Sequence, residues 1–166
     1  MVSMSLGGDI RKLQKHLVKL STVDKKALNA NIGEAMRTST RLRFKTGKGP
    51  DGKSWKPSNR LSGKKGQTLV DTARLRNSIR SKASEENVAV GTNVVYAARH
   101  QFGDKKPITI KASRAKTLRF QIAGRWVSKK QVKVQLPARP FLGISEADME
   151  EIKGIMEDML KEAESG

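Results

Sequence analysis

Between Lys45 and Thr68 the sequence reads KTGKGPDGKSWKPSNRLSGKKGQT, and the apolar periodicity that runs up to it stops. Five glycines, two prolines and six lysines in this stretch rule out a continuing helix or strand. Pro50-Asp51-Gly52 is a turn signal. A structureless segment of this length is unusual inside a compact domain. Its side chains bury too little apolar surface to offset an ordering cost of about 1–2 kcal/mol per residue. The stretch is therefore expected to be a flexible basic loop that orders on a partner. Trp55, in its middle, is the expected anchor, because large amphipathic rings dominate interface energies. The alternative is that Trp55 folds back and pins the loop to its own domain. Lys45, Lys48, Lys53, Lys56, Arg60, Lys64 and Lys65 form a basic strip for a polyanion or an acidic protein surface, unless they are merely solvated.

The segments flanking this break show two different periods. Asp9 is placed to cap a helix with Ile10, Leu13, Leu17 and Leu20 on one stripe. Ser21-Thr22-Val23-Asp24 resembles a capping box for a second helix. Its inward positions read as Leu28, Ile32, Ala35, Ser39 and Leu42, with Gly33 weakening it. Beyond the break, residues 69–79 predict a short helix capped by Asp71 or Thr72, with Leu75 and Ile79 inward. A hairpin over 80–83 and 87–91 turns at Glu85-Glu86. A short helix over 94–102 ends at Gly103. Strand-like runs follow at 108–112, 117–123 and 125–136, with a turn at Gly124-Arg125. Ser145, with Asp148 three residues on, opens an acidic C-terminal helix over 145–164. Its stripe is Met149, Ile152, Met156, Met159 and Ala163. The order predicts a single α+β domain over 1–166, with N-terminal helices and a C-terminal helix packed on a largely antiparallel β-sheet.

The chain of 166 residues is 36% hydrophobic but only 4% aromatic, a thin core that favours completion by partners or by self-association. Net charge is +18, unevenly spread. Residues 1–144 carry 32 basic and 8 acidic side chains, whereas 145–166 carry 2 and 8. The body attracts polyanions or acidic proteins, and the tail suits a basic surface. Cysteine is absent, which excludes disulfides and thiolate metal sites and fits a reducing compartment. No run is long and apolar enough for a membrane span. The N-terminal MVSMSLGGDIRK has no apolar segment, so no signal peptide is expected.

Catalytic chemistry finds little support. His16 lies off its apolar stripe and reads as solvated. His100 could act as a general base beside Asp104, as in a small hydrolase, but reads better as a structural histidine. Two isolated histidines without HExxH spacing argue against a metal site. TGKGPDGK lacks the P-loop spacing. Glu85-Glu86 fits a solvated hairpin tip. No catalytic residue, metal or cofactor is therefore assigned. Non-specific nucleic-acid binding is compatible with the charge, but no helix-turn-helix, zinc finger or RNP element is present to read sequence.

Four stretches, taken in order and spacing, carry a resemblance. They are GPDGKSWKPSN at 49–59, TLVDTARLRNSI at 68–79, VAVGTNVVYAARHQFG at 88–103 and LPARPFLGIS at 136–145. Together they resemble the phage virion morphogenesis family, the tail-completion proteins of Mu-like and related tailed phages and prophages. The resemblance covers roughly residues 20–160. One departure is Ala73, where the family usually has glycine; alanine suits the helix predicted there. The resemblance implies a non-enzymatic α+β subunit of the virion, assembled in the bacterial cytoplasm, at the head–tail junction or tail end. Implied partners are tail-tube, terminator or connector proteins, further copies in a ring, and DNA passing through the lumen. In this setting Pro137 and Pro140 hold 138–139 extended. Arg139 and Phe141, with Trp55, are then candidate partner-binding residues. Phe141 and Leu142 then plug the core or a neighbouring subunit; alternatively the prolines only end the sheet and Arg139 pairs with a nearby carboxylate.

Overall fold

The computed structural model of the protein describes residues 23–58, 66–113, 115–122 and 124–165. The helix expected over Asp9–Leu20, His16, and the basic residues Arg60, Lys64 and Lys65 lie outside them.

Helix α1, Lys25–Thr46, begins where the Asp24 side chain accepts the Ala27 N–H at 2.9 Å. It ends at Gly47, whose φ of 70° supplies the left-handed turn that returns its N–H to Arg43 O. The buried face differs from the expected stripe. Gly33, Met36, Thr40, Arg43 and Phe44 are buried; Leu28, Ile32, Ala35 and Ser39 are only half-buried, and Leu42 is 54% exposed. The reason is what α1 packs against. The hairpin of β1 (Arg80–Ala83) and β2 (Val88–Gly91) crosses it at Gly33. A Cβ there would meet Val88 Cγ2 at 2.9 Å and Ser81 Cβ at 3.1 Å, so a position that weakens the helix permits its closest contact. The hairpin turns at 84–87, around Glu85-Glu86, and Asn29 of α1 caps it by donating to Ser84 O at 2.8 Å.

Helix α2 is a single turn, Arg74–Asn77, with Leu75 and, just beyond it, Ile79 buried as expected. Its cap is not. The residue before it is Ala73, in the left-handed region at φ 57°, and no side chain caps the turn. The left-handed region disfavours any Cβ, so alanine there is strained rather than suited. Helix α3, Ala97–Phe102, ends at Gly103. A Cβ on Gly103 would lie 2.6 Å from Ala138 N, so the backbone of 136–138 fits only against glycine.

Strands β3 (Ile108–Lys111) and β6 (Gln131–Val134) pair antiparallel, as do β4 (Leu118–Ile122) and β5 (Arg125–Lys129). The β4–β5 ladder is nested within the β3–β6 ladder, with Ala112 N–H donating to Lys130 O at 3.0 Å between them, and the four strands are called the ribbon below. Among the described elements, its strands pack extensively only on one another. The fold is thus α+β with antiparallel pairing, but the strands are distributed over small two-stranded units.

Helix α4, Glu146–Ser165, opens on a reciprocal capping box: Ser145 N–H donates to Asp148 Oδ2 at 2.7 Å and Asp148 N–H to Ser145 Oγ at 3.2 Å. It packs on α1 rather than on strands. Ile152, Met159 and Ala163 are half-buried, but Met149 and Met156 are each 44% exposed, so the expected stripe is rotated. The residue that sinks deepest is Asp148. It pairs with the buried Arg43 of α1 and accepts from Ser39.

Candidate functional site

The stretch 137–145 is where the molecule is tied together. Phe141 is fully buried against Phe44, ring centroids 5.3 Å apart, and Phe44 meets Trp55 edge-on at 5.5 Å. Leu75, Ile79 and Ala97 complete this core. The polar backbone beside it is matched group by group. Gln101 of α3 accepts the N–H groups of Phe141 and Leu142, both at 3.0 Å, and donates to Leu142 O at 2.8 Å. Arg43 Nη1 donates to Phe141 O at 2.9 Å and Gly143 O at 2.8 Å. The extended geometry imposed by Pro137 and Pro140 leaves these groups free of any ladder, so side chains satisfy them.

Trp55 belongs to this core, which corrects the expectation of an exposed anchor on a mobile loop. It is 6% exposed, and its indole N–H donates to Pro140 O at 2.8 Å. The described part of the loop is locally built. Trp55 N–H returns to Gly47 O at 2.8 Å, Gly49 and Lys53 are bonded, and Gly52 turns the chain at φ 73°. The glycines serve as turn residues and Trp55 supplies the apolar surface that seemed missing. Around it Lys48, Lys53 and Lys56 are exposed, and Lys45 stands exposed on the last turn of α1.

Arg139 is buried too, at 5% exposure, and no carboxylate partners it among the described residues. Its Nε donates to Lys56 O at 2.7 Å and its Nη2 to Pro57 O at 3.2 Å. Arg139 thus fastens the loop from the opposite side to Trp55. Asp104 pairs not with His100 but with Arg99, through bonds of 2.9 and 2.8 Å, and it also accepts the Leu136 N–H. These bonds hold the Asp104 carboxyl down at about 2. His100 is pushed below its usual pKa, chiefly by burial and then by Arg139 and Arg99. It is therefore neutral near pH 7 and lacks the carboxylate that a hydrolytic base would use to orient it.

Exposed aromatic, apolar and cationic side chains also lie on the ribbon, which sequence reasoning did not single out. Trp126 is 65% exposed on the β4–β5 ladder, and Ile108 and Ile110 are exposed on the β3–β6 ladder. The Arg119 guanidinium stacks over Trp126 at 5.4 Å. Between 108 and 134 there are eight Lys and Arg and no Asp or Glu. The sequence signal was available as an acid-free run containing a second tryptophan. What it lacked was any sign that, among the described residues, these strands keep exposed side chains.

The chain is also similar to known proteins. A sequence model of the phage virion morphogenesis family matches residues 8–161. Mu-like prophage FluMu G protein 2 of Haemophilus influenzae is 33% identical over 138 residues, which is 83% of this chain and 80% of that protein. No solved structure matches.

Proposed function

The chain belongs to the phage virion morphogenesis family, and from that we propose that this phage assembly protein completes the tail or joins head to tail, docking by its ribbon on other virion proteins. The observation that carries the reading is the ribbon itself. A two-stranded ribbon alone is marginally stable in water. This one keeps Trp126 in solvent with Arg119 stacked on it, the aromatic and Arg pairing that interfaces favour, and exposes Ile108 and Ile110 on its other ladder. Acidic faces of tail, terminator or connector proteins are the complementary partners. The acidic stretch 145–166 of another copy is also complementary, which favours a ring. The role is structural, and the protein is carried in the virion.

The reading is tested by replacing residues 112–130 with a short turn in an inducible prophage. The trimmed protein should still fold, because its core residues lie elsewhere. Electron microscopy should then show heads and tails accumulating unjoined or tails left unfinished. A normal yield of infectious particles would contradict the reading. The acid-free ribbon also favours a second reading, non-specific nucleic-acid binding. That reading requires affinity for DNA to fall by roughly 0.9 log units per phosphate contact for each decade of salt.

A further inference from the structure

A cavity of about 620 Å³ opens between the 56–58 segment, the 69–75 turn, α3 and residues 134–139. Arg139 and His100 both line it, joined by a bond of 2.7 Å from Arg139 N–H to His100 O. The buried guanidinium gives Nε and Nη2 to two neutral carbonyls, and its Nη1 makes no hydrogen bond among the described residues. Burial alone moves its pKa, downward, as expected for a cation without a counter-charge. His100 Nδ1 is buried and also unpartnered, while its ring stands edge-on to Tyr96 at 5.8 Å. Asp104, the carboxylate that follows α3, is engaged by Arg99. Burying a cation without a counter-ion, beside an unsatisfied ring nitrogen, is costly, and such gaps call for an explanation. The only two non-glycine residues in the left-handed region among those described, Leu69 at φ 64° and Ala73 at φ 57°, line the same cavity. Held strain of this kind clusters at ligand sites.

We propose that this cavity is a socket for one carboxylate of a neighbouring protein chain, seated on Arg139 Nη1 with the His100 ring in the wall beside it. The socket would give the assembly protein a second contact, on its body, and it rests on the reading above only in taking that neighbour to be a virion protein. The lining carries Arg139, Lys56 and Arg74 against Asp71, a net positive charge that suits an anion. Lys56 and Arg74 are exposed on the lining and draw an anion in, while the exposed Asp71 opposes them. A carboxylate on a side chain or a chain end reaches a buried guanidinium easily. A phosphodiester brings a sugar on either side.

The full-length protein, labelled with nitrogen-15, is titrated with acetyl-glutamyl-amide, whose only charge is one carboxylate. Acetyl-glutaminyl-amide and a short thymidine oligonucleotide serve as comparisons. Saturable shifts of both the Arg139 Nε and the His100 ring nitrogens are expected with the glutamate probe alone. In Arg139→Gln the His100 shift should be lost; if that variant does not fold, the wild-type titration decides. An equal response to the glutamine probe, no saturation, or a response to the oligonucleotide in place of the carboxylate would overturn the socket. Saturable carboxylate binding in a protein that joins no virion component would keep the socket and overturn the assembly reading.

Discussion

Trp55 does the opposite of what an isolated tryptophan in a glycine-lysine loop suggests. Its indole spans the gap between Phe44 and Pro140 and converts a loop into part of the core. Trp55→Ala should cost about 3–5 kcal/mol, the range for emptying a large buried ring site, measured by chemical denaturation. In a Trp126→Phe background the free protein should already show blue, buried emission. A red, solvent-like spectrum would mean that the loop is open. Ala73 gives a prediction of opposite sign. Its left-handed backbone strains any side chain, and Ala73→Gly should stabilise by about 1 kcal/mol. A lowered thermal midpoint would show that the strain is absent.

At the level of elements, two ionic ties hold helix ends to the rest. Arg43 and Asp148 join α1 to the start of α4 inside the protein. Burial pushes the Asp148 carboxyl up, but bonds from Ser39 and Ser145 and the charge of Arg43 outweigh it, leaving it below its ordinary value. Asp148→Ala would strand a buried guanidinium, at a cost of about 3–5 kcal/mol. Asp104 joins the end of α3 to Leu136. Its folded pKa is depressed, so its contribution is complete above the ordinary 3.8 and is lost as pH falls toward about 2. Asp104→Asn should therefore flatten the loss of stability across that window, and an unchanged acid profile would contradict the pairing. Elements whose signals are local were legible in the sequence. Ser145 and Asp148 announce α4, Glu85-Glu86 the hairpin turn, and Gly103 the end of α3. The faces were less legible. Helix α1 buries Gly33, Thr40 and Arg43, which no hydrophobic pattern selects, because the hairpin needs room at glycine and Asp148 needs a cation. Arg139 was legible as a rigidly held side chain, but not as a buried one. Its partners are carbonyls more than eighty positions away.

For the whole molecule, among the described residues, the division of labour is between a body closed by the 137–145 hub and a ribbon whose Trp126, Ile108 and Ile110 stay exposed. The sequence showed the strands but not their exposure, since what covers a strand is a long-range property. In assembled particles, a photo-crosslinking residue at position 126 measures the consequence most directly. If the ribbon docks on other virion proteins, irradiation should join this chain to a tail, terminator or connector protein, or to a second copy, and a matched probe at buried Leu75 should not. Particles that contain the protein yet yield no protein crosslink from 126, or yield crosslinks to DNA alone, would contradict a ribbon-docked assembly role.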